Sequence, residues 1–257
     1  MPRLPTADLA SAKAGQTVSV CLPARDEAAT VGAIVREAIA LEPLVDEVIV
    51  VDDASVDGTA AEAAAAGARV VAGAGTGKGR AMWMALAEST GDLIVYCDAD
   101  VRTFGGHFVT ALLGPLLEDH SIALVKATYE RPFGGRAGEG GRVNELMARP
   151  LLRVLFPDLG FVDQPLGGEC AGRRKALAQL PFVEGWGVDI GLVLDVAARF
   201  GPAAIAQVDL GRRVHRNRPL AQLGPPAEAV LRTALARAGL GPPVPECRPL
   251  VEMAGSR

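Results

Sequence analysis

The feature that most constrains the fold of this chain is an alternation of short apolar segments with helical segments over its first half. The predicted strands are 18–22, 47–51, 68–71 and 93–96, and the predicted helices between them are 30–41, 60–66 and 79–89. Crossovers of this length join parallel strands, so we expect a mostly parallel, Rossmann-like α/β sheet with helices on both faces. Ligands of such sheets bind at the carboxyl ends of the strands.

Three of the predicted strands run directly into acidic residues. The first leads into the segment 23–27 (PARDE), the second into Asp52 and Asp53, and the fourth into Asp98 and Asp100. Carboxylates that converge on one crevice repel each other and require a cation or hydrogen-bond donors. Capping of the following helix explains each acidic group alone about equally well. The three together favour one shared site.

The D-x-D pair, Asp98 and Asp100, is the most informative of these groups. It follows the apolar run 93–97, which places two carboxylates one residue apart at a strand end. Such oxygen ligands suit Mg²⁺ or Mn²⁺, and either ion would bridge to the oxygens of a diphosphate. A D-x-D pair by itself is a weak signal, and here its placement strengthens it.

A glycine-rich segment, 73–79 (GAGTGKG), precedes the third predicted helix. It fits neither the G-x-G-x-x-G dinucleotide fingerprint nor a Walker A loop, which needs Ser or Thr after Gly-Lys. We expect a loop that brings Lys78 to a nucleotide or its phosphates. An ordinary strand-to-helix connection explains the segment almost as well.

Basic residues concentrate in two later segments of an otherwise acidic chain. The loop 129–142 is rich in Gly and Arg, and the segment 209–218 holds four Arg and His215. Because the net charge is −4, the chain as a whole does not attract nucleic acid or anionic membranes. A local basic cluster predicts a small anionic ligand such as a phosphate or carboxylate, with a solvated surface turn as the alternative.

Cysteine spacing and hydropathy indicate the compartment. The four cysteines lie far apart without metal-ligand or disulfide spacing, and we expect Cys21 and Cys97 to be buried, reduced thiols. The sequence predicts no membrane-spanning segment and no signal peptide. We therefore expect a cytoplasmic protein.

Taken together, the motifs resemble those of GT-A-type glycosyltransferases, above all the glucosyl-3-phosphoglycerate synthase family with its mannosyl-3-phosphoglycerate synthase relatives. The resemblance covers about residues 18–223 and rests on an ordered set of motifs. These are PARDEA, VDDASVDGT, GTGKG, YCDAD, GGRVNELMARPLL, QPLGGECAGRR, GWGVDIGL and IAQVDLGRRVHRN. An ordered set is far more specific than any single motif.

The resemblance implies a metal-dependent enzyme that moves glucose from UDP-glucose or another nucleoside diphosphate glucose to 3-phosphoglycerate, with retention of anomeric configuration. The implied donor-binding residues are Pro23, Ala24, Asp26, Glu27, Asp53, Lys78 and Asp98. The implied acceptor-binding residues are Gly141, Arg142, Asn144, Arg213 and Asn217. The implied metal ligands for Mg²⁺ or Mn²⁺ are Asp100 and His215. The implied catalytic residues are Asp98, Asp100, Arg142 and Asp189.

Three positions depart from the family pattern. Asp26 stands where the family usually has Asn, Asn144 where it has Thr, and Asp189 where it has Glu. Because Asp189 is one methylene shorter, we expect a sugar or acceptor hydroxyl to be placed differently. Mannosyl transfer from GDP-mannose is the alternative within this chemistry, and a sugar-phosphate nucleotidyltransferase or a non-catalytic nucleotide-sugar sensor are alternatives outside it.

The expected organisation is a single GT-A domain with two short extensions. We predict a flexible N-terminal segment (1–16), a donor-binding α/β part (17–128), an acceptor-binding and metal-completing part (129–223), and a C-terminal helix with a Pro-rich tail (224–257). The predicted partners are small molecules only. The helix 227–238 has apolar positions that could pack on the body of the domain or on a second subunit. The resemblance suggests a homodimer.

Overall fold

The computed structural model describes residues 6–132, 141–214 and 219–254. The strands within these ranges are β1 (Val18–Ala24), β2 (Glu47–Asp52), β3 (Arg69–Ala72), β4 (Leu93–Tyr96), β5 (Leu124–Glu130), β6 (Cys170–Arg173), β7 (Phe182–Val183), β8 (Ile205–Arg212) and β9 (Glu246–Cys247). The α-helices are α1 (Thr6–Ala12), α2 (Val31–Ile39), α3 (Thr59–Ala65), α4 (Lys78–Glu88), α5 (Gly106–Glu118), α6 (Arg149–Leu155), α7 (Arg174–Leu177), α8 (Val188–Phe200), α9 (Gly224–Arg237) and α10 (Leu250–Ala254). A π-helical turn, Asn144–Ala148, leads into α6.

A seven-stranded sheet in the order β3-β2-β1-β4-β6-β5-β8 forms the centre of the protein. The pairs β3–β2, β2–β1, β1–β4 and β5–β8 are parallel, which confirms the predicted mostly parallel sheet. Strand β6 runs antiparallel between β4 and β5, a reversal that the sequence did not predict. This reversed strand brings the segment before Cys170 to the carboxyl end of β4.

Helices cover both faces of this sheet, as expected. Alternate residues of a strand point to opposite faces, so Ile94 joins a core cluster with Met82 of α4, and Val95 joins a second cluster with Leu112 of α5. The middle strands are apolar and buried on both faces, the pattern of a sheet covered on two sides. Each predicted element of the first half lies within two residues of the observed one.

The described parts of both terminal segments contain regular secondary structure. Helix α1 lies in the segment predicted to be flexible, and its Leu9 is buried beneath α5. In the Pro-rich tail, β9 pairs with β7 and buries Cys247. Among the described residues, no helix is long and apolar enough to cross a membrane.

Candidate active site

A cavity of about 520 Å³ opens at the carboxyl ends of β1, β2 and β4, where the parallel sheet predicts a ligand site. Most of the predicted site residues form its wall. They are Pro23, Ala24, Asp26, Glu27, Asp53, Lys78, Asp98, Asp100, Asp189 and Arg213. The predicted convergence of acidic strand ends on one crevice is therefore confirmed.

The loop after β1 is held against the loop after β2 by Asp26. This residue adopts a left-handed backbone conformation (φ 56°), which Asp tolerates better than most residues. Its backbone N–H donates to the Ser55 hydroxyl over 2.9 Å, and its carboxylate accepts the Val56 N–H over 2.8 Å. Asp26 therefore fixes the shape of one cavity wall.

Asp53 organises the glycine-rich loop. Its buried carboxylate accepts the backbone N–H groups of Gly75 (2.8 Å), Thr76 (3.2 Å) and Gly77 (2.8 Å). Gly75 and Gly77 have positive φ angles of 72° and 98°, which only glycine adopts without strain. The carboxylate thus shapes the loop that presents Lys78 to the cavity.

Lys78 bridges the carboxylates of Asp98 and Asp189. It is the first residue of α4, and its Nζ lies 3.0 Å from Asp98 Oδ1 and 3.0 Å from Asp189 Oδ2. Burial alone lowers the pKa of this ammonium, but the Asp189 and Asp98 carboxylates outweigh burial and raise it above its usual value. Lys78 therefore carries a positive charge.

The two carboxylates of the D-x-D pair have opposite pKa shifts. Burial raises the pKa of Asp98, but Lys78 and Arg213 outweigh burial, and the net pKa lies well below the usual range. Burial and the neighbouring Asp98 charge raise the pKa of Asp100 to about 6. Asp98 is therefore ionised, and Asp100 titrates just below neutral pH.

Arg213 is fixed in a buried ion-pair network below the D-x-D pair. Its side chain is 2% exposed, and its Nη2 donates to Asp98 Oδ2 over 2.6 Å and to Asp100 Oδ1 over 3.4 Å. Its Nε donates to Glu169 Oε1 over 2.9 Å, and the guanidinium lies 5.3 Å from the ring centre of Tyr129. These contacts position the D-x-D carboxylates. Contact of Arg213 with the acceptor stays a prediction.

Sequence reasoning missed Glu169, Gly168 and Lys126. Glu169 is fully buried beside Arg213, and a Cβ on Gly168 would overlap the Asp98 carboxylate. Lys126 of β5 is buried next to Asp189. For Glu169 and Lys126, the available sequence signal was a charged residue inside an apolar segment. Such a residue is almost never fully buried unless it is paired, so the position predicts a buried partner.

Asp189 lies in the first turn of α8, where the helix dipole favours a carboxylate. It is buried and faces Lys78, with Lys126 at 4.0 Å. The cavity wall beside it contains Trp186 and two residues of α9, Pro226 and Val230. Helix α9 therefore packs on the body of the same chain, one of the two options that its sequence left open.

The predicted acceptor loop lies at the edge of the cavity. Val143 contributes to the wall, flanked by Arg142 and Asn144, and Gly141 has a positive φ of 74°. Asn144 is buried, and its Nδ2 donates to the Asp163 carbonyl over 3.0 Å. The predicted residues His215 and Asn217 lie outside the described residues.

The donors that the structure describes fit a hard divalent cation at Asp100. Both oxygens of Asp98 face cations, whereas within the described ranges Asp100 makes a single, longer contact of 3.4 Å to Arg213. A carboxylate in a cavity wall is a ligand that Mg²⁺ and Mn²⁺ prefer. The described residues contain no group of three potential metal ligands, and His215, the second predicted ligand, lies outside them.

The four cysteines, all described, are free and buried. Burial raises the pKa of the Cys21 and Cys97 thiols well above the usual value. This confirms the prediction of buried, reduced thiols.

Comparison with known proteins gives one consistent result. Residues 19–180 match the sequence family Glycosyl transferase family 2. The chain is 48% identical over 255 residues to the glucosyl-3-phosphoglycerate synthase of Mycolicibacterium paratuberculosis, covering 93% of this chain and 78% of that protein. It is 40% identical over 236 residues to the enzyme of the same name from Petrotoga mobilis, covering 86% and 73%.

Solved structures of the Mycobacterium tuberculosis glucosyl-3-phosphoglycerate synthase have the same fold. The complex with Mn²⁺, UDP-glucose and phosphoglyceric acid superimposes with a TM-score of 0.91 at 42% identity, covering 98% of this chain and 96% of that one. The complex with Mg²⁺ and UDP also gives a TM-score of 0.91, at 41% identity, with 98% and 97% covered.

Proposed function

This chain belongs to the glucosyl-3-phosphoglycerate synthases of glycosyl transferase family 2, and we propose that it transfers glucose from UDP-glucose to 3-phosphoglycerate. The observation that carries this proposal is the single cavity in which Lys78, Asp189 and the D-x-D pair meet at the carboxyl ends of the strands. Relatives with the same GT-A fold bind UDP-glucose and phosphoglyceric acid with a divalent cation.

For the donor, we propose that the base and ribose lie along the wall made by Pro23, Ala24, Asp26, Glu27 and Asp53. The backbone there is fixed by the contacts of Asp26 and Asp53, so the nucleotide meets a preformed surface. In a preformed site, less of the binding free energy is offset by the cost of ordering loops.

Lys78 and Asp98 would then lie near the diphosphate and the sugar. The Lys78 ammonium is attracted to phosphate oxygens, and the fixed Asp98 carboxylate can accept a hydrogen bond from a glucose hydroxyl. Their mutual contact of 3.0 Å fixes both groups before the donor enters. Such preorganisation avoids rearrangement during the reaction.

Mg²⁺ or Mn²⁺ is the expected cofactor, and we propose that Asp100 and His215 hold it. When bound, such an ion offsets the negative charge that develops on the departing diphosphate. The single longer contact of Asp100 supports its assignment as a ligand.

For the acceptor, we propose binding by Gly141, Arg142, Asn144, Arg213 and Asn217. In the transfer, the acceptor hydroxyl oxygen forms a bond to the anomeric carbon, the bond from that carbon to the diphosphate oxygen breaks, and the hydroxyl proton is released. Asp189, within 3.0 Å of Lys78, would orient the sugar and the acceptor. We propose that configuration is retained, as the family resemblance implies.

The proposal extends to organisation and assembly. We propose that residues 17–128 bind the donor and that 129–223 complete the acceptor and metal sites of the same domain, with α9 closing one wall. A homodimer and a cytoplasmic location are also proposed, and the four free cysteines agree with a reducing compartment.

The test is UDP release from UDP-glucose with 3-phosphoglycerate, with Mn²⁺ present or removed by a chelator. We expect release that requires both acceptor and metal, and a glucosylated acid by mass spectrometry. Asp100→Asn should lose this activity. Asp92→Asn is the matched control, because Asp92 pairs with Thr17 at the opposite end of the sheet. Turnover of GDP-mannose in place of UDP-glucose, or donor binding without turnover, would contradict the proposal.

A further inference from the structure

Lys126 is a buried cation for which the proposed reaction has no assigned role. It lies on β5, its side chain is 1% exposed, and it is not part of the cavity wall. Lysine is almost never buried to this extent unless its ammonium group is paired. Its partners therefore indicate why the position holds a lysine.

The first partner of Lys126 is Asp189. The Nζ of Lys126 lies 4.0 Å from Asp189 Oδ1, while Lys78 contacts the same carboxylate at 3.0 Å from Oδ2. Asp189 thus lies between two ammonium groups, one in the cavity wall and one behind it. The cation behind the wall opposes displacement of the carboxylate when substrates enter and compete for Lys78.

The second partner is the backbone carbonyl of Gly167, which accepts a hydrogen bond from the same ammonium. The next residue, Gly168, approaches the Asp98 carboxylate so closely that a Cβ there would overlap it. Holding the Gly167 carbonyl therefore also holds the backbone that limits the position of Asp98.

We infer that Lys126 is a positioning residue for the glucosyl transfer, acting on Asp189 through its charge and on Asp98 through the Gly167–Gly168 backbone. The inference rests on the proposed function for its kinetic test. Because Lys126 does not line the cavity, it does not touch the donor, and its effect falls mainly on the placement of the reacting groups.

The experiment compares Lys126→Met, Lys126→Gln and Lys126→Arg. Met has a similar volume without charge, Gln keeps a donor without charge, and Arg keeps the charge. We expect Met and Gln to lower kcat by about 10- to 100-fold, in the range found for residues that orient functional groups. The kcat should fall by more than the KM for UDP-glucose rises, and Arg should retain more kcat than either.

A double-mutant cycle tests the route through Asp189. If Lys126 acts through that carboxylate, Lys126→Met should change kcat much less in an Asp189→Asn background than in the wild type. Arg174→Met is the matched control, because Arg174 donates to the Leu86 and Gly91 carbonyls at the opposite end of the sheet. It should change thermal stability without the same loss of kcat.

The outcomes separate the inference from the proposed function. Wild-type kcat in a folded Lys126→Met or Lys126→Gln variant would overturn the role of Lys126 but not the proposed function. If Lys126→Met does not fold, Lys126→Gln provides this test. If the wild type shows no glucosyl transfer, the proposed function fails, and the crystal structure of the folded variant still tests the inference. We expect the Asp189 carboxylate and the Gly167 carbonyl to move in it; unchanged positions would overturn the inference.

Discussion

The guanidinium of Arg213, which is only 2% exposed, donates to Asp98 over 2.6 Å at the floor of the cavity. Its Nε pairs with the fully buried Glu169, and its Nη2 also reaches Asp100. One cation therefore holds both carboxylates of the D-x-D pair before substrate binds. Together with Lys78 it keeps Asp98 ionised, whereas burial and the Asp98 charge raise the pKa of Asp100 to about 6.

Removing this cation should destabilise the protein. We expect Arg213→Met to lower the free energy of unfolding by about 3–5 kcal/mol, because it leaves Glu169 buried without a charge partner. Arg232→Met is the control, since its pair with Glu228 is exposed and should contribute less than about 1 kcal/mol. Urea unfolding of both variants measures the difference. Equal stabilities would contradict a structural role for Arg213.

Gly168 should tolerate no side chain. We expect Gly168→Ala to lower kcat/KM by about 100-fold, because the new Cβ overlaps the Asp98 carboxylate and displacements near 1 Å can cost that much. Gly114→Ala is the matched control. Gly114 lies in α5 and does not line the cavity, and apart from its chain neighbours its Cβ would meet nothing within 4 Å, so this variant should keep wild-type kinetics. Wild-type kinetics in Gly168→Ala would refute the close approach.

The parts of the site that follow strands could be predicted from the sequence. Hydrophobic periodicity located β1, β2 and β4, and the parallel arrangement placed Asp53 and Asp98 at one edge. Lys78 was predicted because the glycine-rich segment precedes a helix. These inferences needed only neighbouring residues and the general behaviour of parallel sheets.

The parts that depend on distant segments could not be predicted. Glu169 and Lys126 reach the site because β6 lies antiparallel between β4 and β5, and no local pattern indicates that reversal. The observed role of Asp53 also differs from the one that the sequence predicts. A strand-end Asp predicts a ligand or a cap, whereas its carboxylate binds three loop N–H groups that lie more than 20 residues away.

Loss of the Asp53 carboxylate should therefore weaken donor binding through the loop. We expect Asp53→Ala to raise the KM for UDP-glucose by about 10- to 100-fold, since it removes the acceptor of three loop N–H groups and frees the loop before Lys78. The control is Glu62→Ala, an exposed change in the first turn of α3. Steady-state kinetics with saturating acceptor separate KM from kcat. An unchanged KM in a folded Asp53→Ala protein would show that the loop needs no such support.

Metal affinity should depend on pH through Asp100. Burial and the Asp98 charge raise the pKa of Asp100 from 3.8 to about 6, so the metal-free protein holds a proton there at pH values where an ordinary Asp is ionised. Below about pH 6, metal binding must displace this proton. Above pH 7 the carboxylate is already ionised, and no proton is displaced. The Asp100 proton alone should therefore raise the dissociation constant for Mn²⁺ by roughly tenfold for each pH unit below the pKa and have no effect in the neutral range.

Because His215 is a second proposed ligand and histidine titrates in the same range, binding data alone do not identify the group. Carboxyl ¹³C shifts of the metal-free protein measure the pKa of Asp100 directly, and Asp98→Asn should lower it by removing a neighbouring negative charge. Asp98 itself stays ionised across this range, since Lys78 and Arg213 hold its pKa low. An Asp100 that titrates near 4 would show that burial and the Asp98 charge do not control this ligand, and the acid sensitivity of metal binding would then belong to His215.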